Sequence, residues 1–461
     1  MTSTPTTIPI DELRTRITGR VITPEDDGYD EARTLVMGGV DPRPAVIARV
    51  ADDDDVRRVV TLARETGTEL AVRSGGHSGA AHSSVDGGMV LDLRDMTALE
   101  IDPDEGTAWA EAGLTAGDYT SIAGDLGVVT GFGDTGSVGI GGITLGGGIG
   151  FLVRAHGLTI DNLLAADVVT ADGELVRTDA ETHPDLFWAI RGGGGNFGVA
   201  TRFRFRVRPL ARIVGGMLFL PATAEVIEGF MAEARRAPDE LSTILNAMPA
   251  PPMPFIPEAL HGTPVVMAFI AHASEDVAAG EAAIAPLRAL AEPLADMVRP
   301  MTYPEMYMPE DDSYHPVAAS WTGFADDIGA AESAAIVDRL GVEAGMMRVV
   351  QLRELGGAIR RVPNDATAFA HRDRGIMVNV ASLYEPPGDD GEASRGWVRD
   401  TRPVVTPDAD AGYVNFLVDE GPERCRAAYP GPTWDRLRAI KATYDPTDLF
   451  HRTQHIPPAT A

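Results

Sequence analysis

Apolar residues first fall at helical spacing at Val56, Val59, Val60 and Ala63, behind the acidic run Asp52 to Asp55. That pattern predicts a helix with carboxylates in its first turn, where they favour the free N–H groups and the helix dipole. A metal-binding use of the four aspartates competes with this capping use, and caps are much the commoner. Gly67 closes the helix, and Glu69 to Arg73 reads as a strand running into a glycine turn. Farther on, the apolar runs Ala166–Thr170 and Glu174–Thr178 flank Ala171-Asp172-Gly173, a hairpin signal. Pro184 to Arg191 predicts a short helix that starts with a proline and ends at a glycine run. Val199 to Val207 alternates strictly, with Arg202, Arg204 and Arg206 on one side. This is a strand with one wet face; its arginines could meet a phosphate, but a solvated face is the commoner outcome.

From about Leu210 the texture changes. Proline-rich loops appear (Pro249 to Pro257), together with an Ala/Glu-rich helix over Glu275–Leu294 and apolar strands at Pro264–Ala271 and Gly375–Leu383. Pro403 to Gly412 reads as a turn-rich linker, Tyr413–Val418 as a strand and Trp434–Thr443 as a helix, with an extended tail. No internal repeat is visible. The expectation is an α+β chain with a first domain over residues 1–210, a second over 211–410, and a C-terminal segment, 411–461, that returns to the first.

Composition narrows the function. The 461 residues give a soft prior of about three domains. The balance of 39 Lys+Arg against 68 Asp+Glu leaves −29, which argues against nucleic acid and against anionic lipid as partners. A hydrophobic fraction of 44% excludes wholesale disorder. Cys425 is the sole cysteine, so no internal disulfide, cysteine metal cluster or CxxC pair can form, and no metal is expected. No apolar run reaches about 18 residues, and the Thr-rich start lacks a signal-peptide pattern, so the expected compartment is the cytoplasm. Lys441 is the only lysine.

Glycine is the remaining oddity, at 50 residues crowded into three places. The first is Val72-Arg73-Ser74-Gly75-Gly76-His77-Ser78, at the end of a predicted strand. Successive N–H groups in such a turn make a concave nest for an anion such as pyrophosphate. A histidine inside it is unusual, though a turn histidine bonded to a nearby carbonyl is the ordinary case. The second is Gly131 to Gly150, too long for one Rossmann βα turn and without a P-loop lysine. Interspersed Val138, Ile140, Ile143 and Leu145 set it apart from a polar linker. It suggests backbone lying flat against a large planar or diphosphate-bearing ligand. The third is Arg191-Gly192-Gly193-Gly194-Gly195-Asn196-Phe197-Gly198-Val199. Together, each beside a strand, the three point to one extended cofactor.

These segments, with HGLTIDNLLAADVVTADGELV, HPDLFWAIRGGGGNFGV, TAFAHRD (Thr367–Asp373), YVNF (Tyr413–Phe416) and YDPTDLF (Tyr444–Phe450), resemble the berberine bridge enzyme-like FAD oxidases of the vanillyl-alcohol-oxidase superfamily. The resemblance runs in order along nearly the whole chain and is closest in the first 210 residues. It implies a two-domain PCMH-type FAD-binding fold, in which an antiparallel-sheet substrate domain covered by helices lies over the flavin. His77 stands where the family links its flavin through the 8α-methyl. The implied cofactor-contacting set is Arg73, Ser74, Gly75, Gly76, His77, Ser78, Thr135, Gly136, Val138, Gly139, Gly142, Val199 and Asn415. Thr135 replaces a cysteine that many members use for a second linkage, so attachment through His77 alone is expected. Thr453-Gln454-His455-Ile456 replaces the family's N-x-N-I, and His455 is expected at the surface. His82 stands where relatives carry a small residue.

The implied activity is oxidation of a small organic substrate (alcohol, sugar, amine or secondary metabolite) by hydride transfer to flavin N5, with O2 as acceptor and H2O2 as product. Tyr413 matches the family's tyrosine near the reacting centre, and the small Val138 fits an oxidase. A tyrosine base would need its usual pKa of about 10 lowered. A flavin dehydrogenase with another acceptor carries the same motifs; a non-enzymatic flavin-binding protein and a Rossmann NAD(P) enzyme are further alternatives. The Met- and Pro-rich loop Met248–Pro257, with Tyr303, Tyr307 and Tyr314, suggests an apolar substrate cavity or ordinary core.

Overall fold

The computed structural model describes residues 8–254, 256–311, 313–406 and 411–460. Two sheets occupy the first part of the chain. A four-stranded mixed sheet runs in the order Arg20–Ile22, Val46–Arg49, Met89–Asp92, Leu70–Arg73, and an antiparallel five-stranded sheet in the order Leu99–Asp102, Thr107–Glu111, Val199–Arg206, Leu163–Val169, Leu175–Asp179. Helix Asp53–Thr66 packs between them with Val56, Val59, Val60 and Ala63 buried. Its acidic start is a cap. Asp52 accepts the Asp55 N–H, and buried Asp55 accepts the N–H groups of Thr18, Gly19 and Ala51. Arg202 and Arg204 pair with Glu100 and Glu105, so the arginine strand face is a solvated one.

The middle of the chain builds an eight-stranded antiparallel sheet. Its path is Ala295–Asp296, Ile213–Pro221, Pro264–His272, Leu241–Pro249, Met347–Glu354, Ile376–Tyr384, Val317–Ala325, with Arg299–Met301 beside Ile213–Pro221. Alternation along each strand divides the faces. Leu245, Ala247, Val350 and Leu352 meet helices Ala224–Arg236, Val277–Arg288, Ala330–Leu340 and Glu392–Val405. Ile244 and Ala271 on the other face pack against Val129, Phe151 and Leu152, which flank or follow the long glycine run.

Three expectations fail locally. Tyr413–Val418 is no strand; a 3-10 turn spans Val414–Phe416, closed by the Phe416 and Leu417 N–H groups on the Tyr413 carbonyl. The turn points Tyr413 and Asn415 the same way, so that the Asn415 amide donates to the Tyr413 hydroxyl. Pro403 does not open a linker but sits in the last turn of helix Glu392–Val405, because Trp397, Val398, Thr401 and Val405 anchor that helix in the core; residues 407–410 lie outside the described set. The helix expected over Glu275–Leu294 stops at Arg288.

The last part of the chain packs into the first core. Leu417, Tyr429, Leu437, Ile440, Phe450 and Ile456 share one cluster with Phe197, Val199 and Phe203. Lys441, fully buried, is the clasp. Its Nζ donates to the Asn196 carbonyl at 2.9 Å, to the Phe450 carbonyl at 3.0 Å and to Asp445 at 2.6 Å. Among the described residues no helix is long and apolar enough to cross a membrane, and no cluster of His, Cys, Asp and Glu is placed to hold a metal.

Candidate active site

Strand Leu70–Arg73 delivers the first glycine turn to the surface of the mixed sheet. Gly76 takes φ +79° there, a conformation that glycine adopts without strain. The N–H groups of Gly75, Gly76, His77 and Ser78 meet no protein acceptor among the described residues, so four successive donors stand ready for an anion. The Arg73 guanidinium is turned the other way. It donates to the carbonyls of Ala32 and Ser83 behind the turn, and burial lowers its pKa to about 10. Ser74 likewise faces inward, onto the Ala112 carbonyl.

The second glycine segment lies against the first, backbone to backbone. A Cβ on Gly139 would come within 2.2 Å of the Gly75 nitrogen and the Ser74 hydroxyl, so only glycine permits that approach. Gly142, by contrast, faces open space. The donors of Val138, Gly139, Gly141 and Gly142 also lack a protein acceptor among the described residues, whereas Gly136 bonds Gly117 through its carbonyl. Ser137 ties this segment to the histidine: His77 Nε2 lies 2.9 Å from its Oγ. Glu310 closes on the same serine, taking its N–H at 2.9 Å and its hydroxyl at 2.5 Å. Burial pulls the His77 pKa down, so its imidazole is neutral near pH 7. Thr135 is half-buried beside these groups.

Tyr413 reaches the far end of the run. Its phenol oxygen accepts the Gly148 N–H at 2.9 Å and the Asn415 amide at 3.0 Å, and Asn415 also donates to the Ile143 carbonyl. Burial raises the Tyr413 pKa, outweighing these donors and nearby Arg353. The first half of the third glycine turn is bonded to protein, whereas the N–H groups of Gly195, Asn196, Phe197 and Gly198 meet no protein acceptor among the described residues. Gly192 and Gly194 both donate to the Leu145 carbonyl and Gly193 to that of Ala189, while Asn196 holds the Gly193 and Gln454 carbonyls. Val199 follows it as a core residue, 1% exposed.

The comparisons with known proteins follow this geometry. Residues 44–179 match the family described as FAD binding domain, and residues 412–457 the one described as Berberine and berberine like. The FAD-linked oxidoreductase YvdP of Bacillus subtilis is 32% identical, over 96% of this chain and 99% of its own. The (R)-6-hydroxynicotine oxidase of Paenarthrobacter nicotinovorans is 30% identical, over 96% and 97%. The crystal structure of 6-hydroxy-D-nicotine oxidase from Arthrobacter nicotinovorans superposes with a TM-score of 0.84 at 27% identity, covering 96% of this chain and 98% of that one. The chain belongs to the berberine bridge enzyme-like FAD-linked oxidases.

This berberine bridge enzyme-like oxidase therefore has the PCMH-type FAD-binding fold and is an FAD-linked oxidoreductase. The residues present fit that cofactor. Two adjoining backbone segments offer free donors for its phosphates, and in the second of them Thr144 Oγ1 is buried with no partner among the described residues. Sequence reading missed the polar strip on the sheet above. Arg353, 3% exposed by side chain, donates to Asp134 at 2.7 Å, to the Ile149 carbonyl and to Gln351, and Gln351 in turn donates to Asn246. Only the pairing of strands Leu241–Pro249 and Met347–Glu354 aligns them, and neither strand was visible in the sequence. Tyr303 is buried and Tyr307 half-buried near Phe151, but Tyr314 is 52% exposed and lines no interior. His455 is exposed and pairs with Asp448; burial beside Arg452 lowers the His82 pKa to about 4.

Proposed function

We propose that this chain oxidises a small organic substrate with an FAD attached once, through His77, and passes the electrons to O2. The observation that carries the reading is the placement of His77 inside a turn of four free donors, against the glycine segment that ends at Tyr413. When bound, FAD supplies a two-electron acceptor at N5. Residues 75–78 hold its pyrophosphate, with Val138, Gly139 and Gly142 along the flavin side, Val199 toward the adenosine and Asn415 near the ring. Residues 1–210 with 411–461 then form the cofactor domain, and 211–410 the substrate domain, in line with their separate cores.

Tyr413 is the proposed catalytic group. Its oxygen already accepts two N–H donors, which leaves its own proton for a substrate heteroatom. Because burial keeps it protonated, it acts as a hydrogen-bond donor that orients the substrate heteroatom, and the proton the substrate loses as hydride leaves goes to solvent. Gln351 and Asn246 offer polar contacts, and Phe151 and Phe269, 5.8 Å apart by ring centroid, an apolar wall. That wall suits the ring of a substrate such as the hydroxynicotine named for the 30% identical relative. The small side chain of Val138 favours O2 over a bulkier acceptor.

Acid precipitation of the purified full-length protein tests the attachment: yellow flavin stays in the pellet for wild type and is released by His77→Ala. A substrate panel under air, read for peroxide, tests the rest. Turnover with an artificial acceptor and no peroxide would establish the dehydrogenase reading instead.

A further inference from the structure

Glu310 lies far from the glycine segments in sequence, on the 307–311 stretch after the turn Tyr303–Met306. Tyr307 anchors that stretch to the cofactor side, with its hydroxyl 3.4 Å from the Gly133 carbonyl and its ring packed on Phe151. Glu310 is thereby presented to Ser137 with both carboxylate oxygens engaged, Oε1 on the N–H and Oε2 on the hydroxyl. A second contact marks the closeness: a Cβ on Gly136 would sit 3.3 Å from Glu310 Oε1.

The protons in this chain are determined by chemistry. An ionised carboxylate only accepts, so the Ser137 hydroxyl proton must lie on the bond to Glu310. Ser137 Oγ can then meet His77 Nε2, 2.9 Å away, only as an acceptor. Nε2 therefore carries the imidazole proton, and Nδ1 keeps an unshared pair. The arrangement has the logic of a carboxylate that orients a histidine through a hydrogen bond and so selects its tautomer, with a serine interposed.

We propose that Glu310 is a positioning residue for flavin attachment: acting through Ser137, it holds His77 in the Nε2–H form and accepts the ring's proton when Nδ1 bonds. The proposal rests on His77 being the attachment site. In the net step an imidazole N–H and a flavin methyl C–H are lost and one N–C bond forms. The methyl proton goes to solvent, and the imidazole proton leaves Nε2 by way of Ser137 toward Glu310. Two electrons remain on the flavin until O2 takes them, with two protons, as H2O2. Glu310 comes from the segment between the second domain's strands, so attachment becomes fast only once the two parts of the chain are docked.

The test uses full-length protein produced under riboflavin starvation and mixed with FAD. Acid-stable flavin is followed by intact mass, and reversible binding by flavin fluorescence. Glu310→Gln should slow attachment about 10- to 100-fold, the range seen when a partner that orients a histidine is removed, with reversible FAD binding unchanged. Ser137→Ala should slow it equally, the double variant no further, and Ser137→Thr should restore the wild-type rate. Nitrogen-15 spectra of the flavin-free protein should report the Nε2–H tautomer for His77 in wild type and a shift toward Nδ1–H in Glu310→Gln. Wild-type attachment kinetics in Glu310→Gln overturn the inference and leave the His77 reading standing. Acid-stable flavin absent from wild type, or retained in His77→Ala, overturns both.

Discussion

The first and third glycine turns look alike in sequence but differ in how their leading N–H groups are bonded. At residues 75–78 four consecutive N–H groups are left without a protein acceptor among the described residues. At residues 192–196 the N–H groups of Gly192, Gly193 and Gly194 are bonded to carbonyls, the Gly192 carbonyl accepts from Tyr429, the Gly193 carbonyl from Asn196 and the Asn196 carbonyl from Lys441. The third turn grips the Leu145 carbonyl, and so steadies the second run from behind. Glycine content marks where backbone comes close to something. Hydrogen-bond accounting says whether that something is a ligand or more protein.

The largest effect should come from unfastening the third turn. Lys441→Met leaves Asp445 and the Asn196 and Phe450 carbonyls buried without their cation. A loss of about 3–5 kcal/mol is expected in denaturant unfolding. His77→Ala, in the first turn, should leave that transition in place while abolishing acid-stable flavin. If Lys441→Met kept full stability, or His77→Ala lost as much as Lys441→Met, the division between a ligand turn and a structural turn would collapse.

The second run sits between these extremes, free at its head and bonded at its tail, where Gly148 donates to Tyr413. Tyr413→Phe should lower kcat/KM about 100-fold, with KM less affected than kcat, in the range lost when one donor aimed at the reacting centre is removed. It should also cost about 1–3 kcal/mol of stability, since the Gly148 N–H loses its acceptor. The pH dependence follows in sign. Burial raises the folded pKa above the ordinary 10, so the neutral phenol is favoured by folding, and its contribution persists through neutral pH and fades only as pH climbs through the raised value. No Tyr413-dependent limb should appear in kcat/KM between about pH 6 and 9. A rising limb there that vanishes in Tyr413→Phe would make the phenolate the active form.

What could be read from the sequence follows the same division. The glycine turns, helix Asp53–Thr66 and strand Val199–Arg206 were legible because each is determined by neighbours a few residues away. Family resemblance supplied the cofactor. The Arg353–Gln351–Asn246 strip and Glu310 were not legible, because their positions depend on strand pairings and on Tyr307 docking across more than a hundred residues of chain. The 413–418 segment misled because a tight turn and a strand can both direct alternate residues inward.

A matched pair separates the turns at the level of a single methyl group. Gly142 and Gly195 both face open space, and neither has a left-handed φ, so alanine fits sterically at each. Gly142 lies among the free donors that adjoin residues 75–78, inside helix Ile140–Gly146. Alanine there should strengthen the empty protein by up to about 1 kcal/mol through helix propensity. The same methyl stands where the cofactor would lie, and should weaken FAD about tenfold, or about 1.4 kcal/mol. Gly195 follows three N–H groups bonded to the Leu145 and Ala189 carbonyls, in a turn held by protein, and Gly195→Ala should move both quantities by less than about 0.5 kcal/mol. Binding is best measured in the His77→Ala background, where FAD remains exchangeable. Equal losses of FAD affinity at the two positions would place the third turn against the cofactor as well, and its closed hydrogen bonds would then be a feature of a ligand wall.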